Sequence, residues 1–169
     1  MDIVSPMPRT VCGNRYILTV VTHFTKHIEV YPLPDQEAAL IARVFLNEFV
    51  ARFGVFHVVH TDQSVNFEST LMKILCKVLG IAKTRTIPYH PQCNGQVKRI
   101  NQVIIELLSI NVNSPTDNWD LELGLTLMEY RSAVQTSTGF TSNYMLFSRE
   151  CLWILSIALQ IKDKVIRHL

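Results

Sequence analysis

The sequence has no apolar run long enough to cross a bilayer. Its longest candidate, "CLWILSIALQI" at 151–161, has eleven residues, well short of the roughly 20 that a spanning helix needs. A membrane-spanning reading is excluded. Excess charge of one sign is also missing: the formal net charge is +2, so any basic footprint for a polyanion has to be local. The cysteines Cys12, Cys76, Cys93 and Cys151 form no CxxC pair, and no histidine stands at zinc-finger spacing. They read as reduced thiols. The amino-terminal "MDIVSPMPRT" has no basic region leading into an apolar run, so no secretory leader is expected. No internal repeat or low-complexity segment is present.

What remains is a globular composition. With 169 residues, 48% hydrophobic and 18% charged, the chain suits one domain that buries most of its apolar surface. "RYILTVVTHF" (15–24) is a near-continuous β-branched run, the pattern of a strand covered on both faces. "HIEVYPLP" follows, with Ile28 and Val30 alternating against His27, Glu29 and Tyr31, and its prolines point to a sheet edge. The two runs read as a hairpin. Asp35 is expected to cap a long helix ending before Gly54, with Ala42, Phe45, Leu46, Phe49 and Phe53 on its buried face. "VFHVVHT" (55–61) reads as a strand. A helix over 69–79 is expected to bury Leu71, Leu75, Val78 and Leu79 and to stop at Gly80. "IAKTRT" (81–86) is a further strand. The next helix is expected to bury Val97, Ile100, Ile104 and Leu107. A last helix near 117–133 places Trp119, Leu123, Leu127 and Tyr130 on one stripe. The order predicts a compact α/β domain with a mixed sheet covered on both faces.

One junction is electrically odd. In "YHPQCNGQVKRINQ" (89–102) Asn94 is the expected N-cap, so Lys98 and Arg99 fall near a helix start that favours acids. Two carboxylates sit elsewhere at strand ends: Asp62 closes "VVHT", and Asp2 lies in "MDIV". Clustered carboxylates are what two-metal phosphoryl transfer uses, because magnesium takes oxygen ligands. A lone Asp at a strand end is more often a turn former.

The surrounding words change that balance. "MDIVSPMPR", "HTDQSVNFES" and "IPYHPQCNGQVKRIN" occur in this order and resemble the catalytic core of retroviral and retrotransposon integrases, most closely the Gypsy-type elements. The spacing from the second Asp to the family's Glu is reproduced by Asp62 and position 98, with 98 − 62 − 1 = 35 residues between them. The likeness covers about residues 2–150 and leaves 151–169 as a tail. It implies an RNase H-like fold with a five-stranded mixed sheet flanked by helices, its first strand truncated at the amino terminus. It also implies a magnesium-dependent polynucleotidyl transferase, manganese being the substitute ion, in which Asp2 and Asp62 are the first two acids and metal ligands.

At the third position this chain has Lys98. Unit charges about 4 Å apart interact by roughly 4 kcal/mol at an effective dielectric near 20. Exchanging a carboxylate for an ammonium is therefore expected to weaken or abolish metal binding and to impair catalysis. Glu106 is eight residues further on, about 12 Å by helical rise, and does not replace it. Ser64 stands where the family has Gly, with backbone strain expected. DNA is the partner the likeness implies, contacted through His90, Asn94, Gln96, Lys98 and Arg99, with Lys83 and Arg85 extending the patch. Taken singly, each of these cations reads as a solvated surface charge. The likeness further implies a homodimer, a nuclear location and no small-molecule substrate. Two alternatives stand beside the impaired core: a domesticated non-enzymatic DNA- or protein-binding module, and an active transferase with a substitute third ligand.

Overall fold

A computed structural model describes residues 1–4, 6–85, 92–111 and 118–151. The strand β1 (Asp2–Val4) pairs antiparallel with β2 (Tyr16–Val21), which forms a hairpin with β3 (Ile28–Leu33). Alternate residues of β2 feed two cores, as period-two geometry requires. Leu18 and Val20 face one, while Ile17 faces the other. Pro32 lies exposed on β3, which pairs with β2 alone among the described strands, so the edge reading is correct.

The first core is closed by a helix in three parts. α1 (Ala38–Val44) passes into a π-helical segment (Phe45–Val50) and ends in α2 (Ala51–Phe53) at Gly54, whose φ of +83° suits a residue without Cβ. Asp35 does not cap this helix. Its carboxylate accepts from the Glu37 N–H, and Glu37 holds the cap position without a side-chain bond. The wider π turn buries Phe45 and Phe49 while turning Leu46 outward, 37% exposed. β4 (Val58–Thr61) and β5 (Ala82–Arg85) form a parallel pair flanking α3 (Thr70–Val78). Ser69 caps α3 through the Met72 N–H. Its buried face is Met72 and Cys76 with Leu75 and Leu79 partly covered, whereas Leu71 and Val78 point outward.

α4 (Gln92–Asn111) and α5 (Trp119–Ser132) cover the other face of the sheet. Ile100, Ile104 and Leu108 pack there against Trp119, Leu123, Leu127 and Tyr130. The Trp119 indole N–H donates to the Pro8 carbonyl at 2.8 Å, tying α5 to the loop after β1. A short α6 (Ser142–Phe147), capped by Thr141, was not anticipated.

The single five-stranded mixed sheet is corrected. Among the described residues the strands form two sheets, β1-β2-β3 antiparallel and β4-β5 parallel. The physical reason lies in β1, which has only three residues. One hydrogen bond, from the Met1 amino group to the His60 carbonyl at 2.7 Å, reaches across to β4, and one bond is not a ladder. No helix among the described residues is long and apolar enough to cross a membrane.

Candidate active site

Asp2 and Asp62 arrive from different sheets. Asp2 sits in β1, 7% exposed, and Asp62 follows directly after β4. Their charges act on one another across the gap between the sheets. One Asp2 oxygen accepts from the Ile3 N–H at 3.0 Å, and the other accepts from the Asn101 side-chain amide at 2.9 Å. Burial first and the Asp62 charge second push the Asp2 carboxyl above its ordinary range, against the Ile3 bond and the Met1 and Lys98 cations. Asp62 accepts from the Ser64 N–H at 3.1 Å, which closes a tight turn around it. The strain expected at Ser64 is not found, because its φ is not positive.

Lys98 and Arg99 are exposed on α4. Lys98 is near enough to draw the Asp2 carboxyl downward, so it lies within electrostatic reach of the pair. The start of α4 differs from expectation. Asn94 is not the N-cap, because the helix begins at Gln92 and carries Asn94 and Gly95 inside it. Lys98 therefore lies beyond the first turn, and the macrodipole acts on it less strongly than the sequence suggested. Arg99 folds back, its Nε donating to the Gly95 carbonyl at 3.0 Å.

Asn101 is the residue that sequence reasoning missed. It lies three positions after Lys98, so the two share a helical face. Its amide steadies Asp2 from inside the fold at 8% exposure. That spacing was the available signal. Glu106 is exposed further along α4, and it does not join the pair.

Of the expected DNA contacts, His90 lies outside the described residues, and Asn94 and Gln96 lie in α4 with side chains outside them. The Lys83 ammonium is bound to the Glu68 carboxylate and is mostly buried, so Lys83 is taken up inside the fold. The Arg85 guanidinium stands 3.9 Å from the same group and remains 66% exposed. His60 is held through Nδ1 to the Thr84 hydroxyl at 2.9 Å, and burial followed by the nearby cations lowers its pKa. Cys12, Cys76 and Cys151 are free thiols, while the Cys93 side chain lies outside the described residues. No cluster of three or more His, Cys, Asp or Glu side chains with metal-binding geometry occurs among the described residues. The segment 152–169 lies outside them too.

Known proteins are similar to this chain in sequence and in fold. The family described as "Integrase core domain" matches residues 1–91. The chain is 24% identical over 123 residues to the retrovirus-related Pol polyprotein from transposon 412 of Drosophila melanogaster, covering 73% of this chain and 10% of that protein. It is 33% identical over 121 residues to the Pol polyprotein of Radiation murine leukemia virus (strain Kaplan), covering 71% and 21%. The chain thus spans between 7% and 21% of the length of these and similar curated relatives.

Two solved structures show the same fold. One is the simian T-cell lymphotropic virus intasome in complex with PP2A regulatory subunit B56 gamma. The match has a TM-score of 0.70 and 22% identity, over 90% of this chain and 55% of that one. The other is the catalytic core domain of BIV integrase, with a TM-score of 0.67 and 24% identity, over 87% and 92%.

Proposed function

The chain belongs to the integrase core family, and on that premise we propose that it is a retroelement-derived nucleic-acid-binding domain whose phosphodiester-transfer chemistry is impaired. The observation that carries the reading is the charge set at the gap between the sheets. Asp2 and Asp62 act on each other, and the charges in reach besides them are cations, the Met1 amino group and the Lys98 ammonium. The family works with divalent metal ions, which stabilise the charge that develops in phosphoryl transfer. The donor set here does not fit such an ion well. It offers two carboxylates, one of them already accepting bonds on both oxygens, beside a cation.

The same cation suits a phosphate. Lys98 and Arg99 stand exposed on one turn of α4, where they can contact a nucleic-acid backbone without reading its sequence. DNA as partner, a nuclear location, and a homodimer joined through α5, where Leu121 is 68% and Leu125 52% exposed, belong to the same proposal.

The test is a magnesium and manganese titration followed by thermal unfolding, on this chain and on Lys98→Glu. The expected result is that the unmodified chain ignores both ions while Lys98→Glu gains several degrees with either. DNA binding by the unmodified chain should weaken linearly in log salt, by about 0.9 per phosphate contact. A clear gain in stability by the unmodified chain would return it to the active transferases. Silence from both proteins would remove the metal site from the account.

A further inference from the structure

One buried imidazole has no part in the site between the sheets. His27 stands directly before β3 with 1% of its surface exposed. Phe53, at the end of α2, lies 5.8 Å from its ring between centroids, and Phe147, at the end of α6, meets it edge-on at 5.7 Å. The Glu29 carboxylate faces Nε2. A carboxylate has only acceptors to offer, so the single proton of the neutral ring sits on Nε2 and leaves Nδ1 bare. Nδ1 is buried and has no hydrogen-bond partner among the described residues.

A second proton has no good place here. On Nδ1 it would make an N–H buried without an acceptor, which costs free energy. It would also add charge of the wrong sign. The charged groups facing the ring are Glu29 on β3, Arg131 on α5 and Arg52 on α2. One carboxylate already meets two guanidiniums, so an imidazolium would be a third cation against a single anion. α6 brings no charge, and its tyrosine, Tyr144, stacks outside on Phe140. Of the walls around the ring, α6 is the one most easily lifted. It has six residues, Phe147 is itself 53% exposed, and the buried Asn143 keeps an amide Nδ2 without a partner. Phe53 by contrast packs against Phe49 and the first core, and Arg131 is tied twice to the Ile28 carbonyl.

We propose that His27 is an acid-sensing latch, whose protonation releases α6 from the β3 edge while the β2–β3 hairpin and α5 stay in place. With Phe147 lifted, water reaches both ring nitrogens, so the open form binds the proton more tightly than the closed one. Burial is the main cause that holds the closed ring below its ordinary 6.5, against the Glu29 bond. The closed form is therefore favoured above 6.5 and loses that advantage as pH falls. Opening should grow by up to about tenfold per pH unit below that value, until the closed ring takes the proton as well. Six residues do not keep helical bonds without packing, so release of α6 also unwinds it.

The experiment is amide hydrogen exchange of the full chain by NMR between about pH 8 and about pH 5, with each rate divided by the intrinsic rate at that pH. The reporters are the Met145 and Ser148 N–H groups, which donate to the Thr141 and Tyr144 carbonyls, and the amides of the β2–β3 ladder. Protection of the α6 pair should fall roughly tenfold over the first pH unit below 6.5, with the ladder unchanged. His27→Phe should abolish that dependence. Phe147→Ala uncovers the ring, so the His27 titration followed by NMR should move up toward 6.5; this arm decides should His27→Phe not fold. Protection in α6 that ignores pH would overturn the proposal. Loss of α6 and ladder protection together would replace the latch with global unfolding. A pH dependence that survives His27→Phe, or a ring titration unmoved by Phe147→Ala, would overturn it equally.

Discussion

At the β3 edge of the sheet buried charges balance; at the β1 edge they do not. On β3, the Glu29 carboxylate is 6% exposed and meets the Arg131 guanidinium at 2.7 Å, the His27 ring at 3.1 Å and Arg52 at 3.4 Å. Arg131 also donates through Nε and Nη2 to the Ile28 carbonyl, a group that the outer edge would otherwise leave open. Phe53 and Phe147 close over the His27 ring. Burial works to raise the Glu29 carboxyl, but the His27 bond and the two guanidiniums outweigh it and hold it below its ordinary range. At the β1 edge, burial and the like charge of Asp62 act together and push Asp2 upward. One cluster locks α5 onto the sheet. The other holds charge at a cost to the fold, and that is the expected mark of a site kept for chemistry or binding.

The comparison is broken most easily at Glu29. Glu29→Gln leaves the Arg131 charge buried without its carboxylate, and removing one partner of a buried pair costs about 3–5 kcal/mol. Urea unfolding should show a loss of that size, and a loss under about 1 kcal/mol would mean the cluster is not a lock.

Acid should dissolve the same contrast more gradually. The folded pKa of Glu29 lies below its ordinary 4.5, so the stability it contributes is present above that value and is lost as pH falls through the folded one. Burial, ahead of its neighbours, lowers His27 below 6.5, so protonation there also opposes the fold as pH drops. A stability profile should therefore fall from about pH 6.5 downward, and more shallowly in Glu29→Gln.

The smallest effect has the opposite sign. The folded pKa of Asp2 is raised, so its charge burdens the fold at neutral pH and ceases to as pH falls toward 3.8. Asp2→Asn, measured with chelator present, should raise Tm at pH 7 by a few degrees, roughly what 1 kcal/mol gives in a chain of this size. That advantage should vanish near pH 4. A destabilised variant would place Asp2 with Glu29 among the locks.

Much of this was legible because period carries it. The β2–β3 hairpin, both members of the parallel pair and the Trp119 stripe follow from alternation and helical spacing. The failures have local causes. His27 and Glu29 alternate with apolar neighbours as outward residues do, yet Arg131 arrives from 102 positions beyond Glu29 (131 − 29 = 102) and covers them. No short-range pattern encodes that. Leu46 left its expected face because the helix changes pitch, and α6 has six residues, too few to show a period. At the site, both aspartates follow from the motif words, while Asn101 speaks only through its spacing from Lys98.

The π-helical segment also has a meaning for chain length. A ring closed from i to i+5 holds one residue more than the α-helical ring. The six residues Phe45–Val50 therefore carry a surplus of one relative to a straight helix through the same ends. Losing one residue there lets the helix close in ordinary pitch, with Ala38–Val44 and Ala51–Phe53 keeping their mutual phase. Anywhere else in this helix a deletion would rotate all that follows by about 100°. This chain therefore has one place on its first long helix where a residue can be lost while Gly54, β4 and the acid behind it stay where they are.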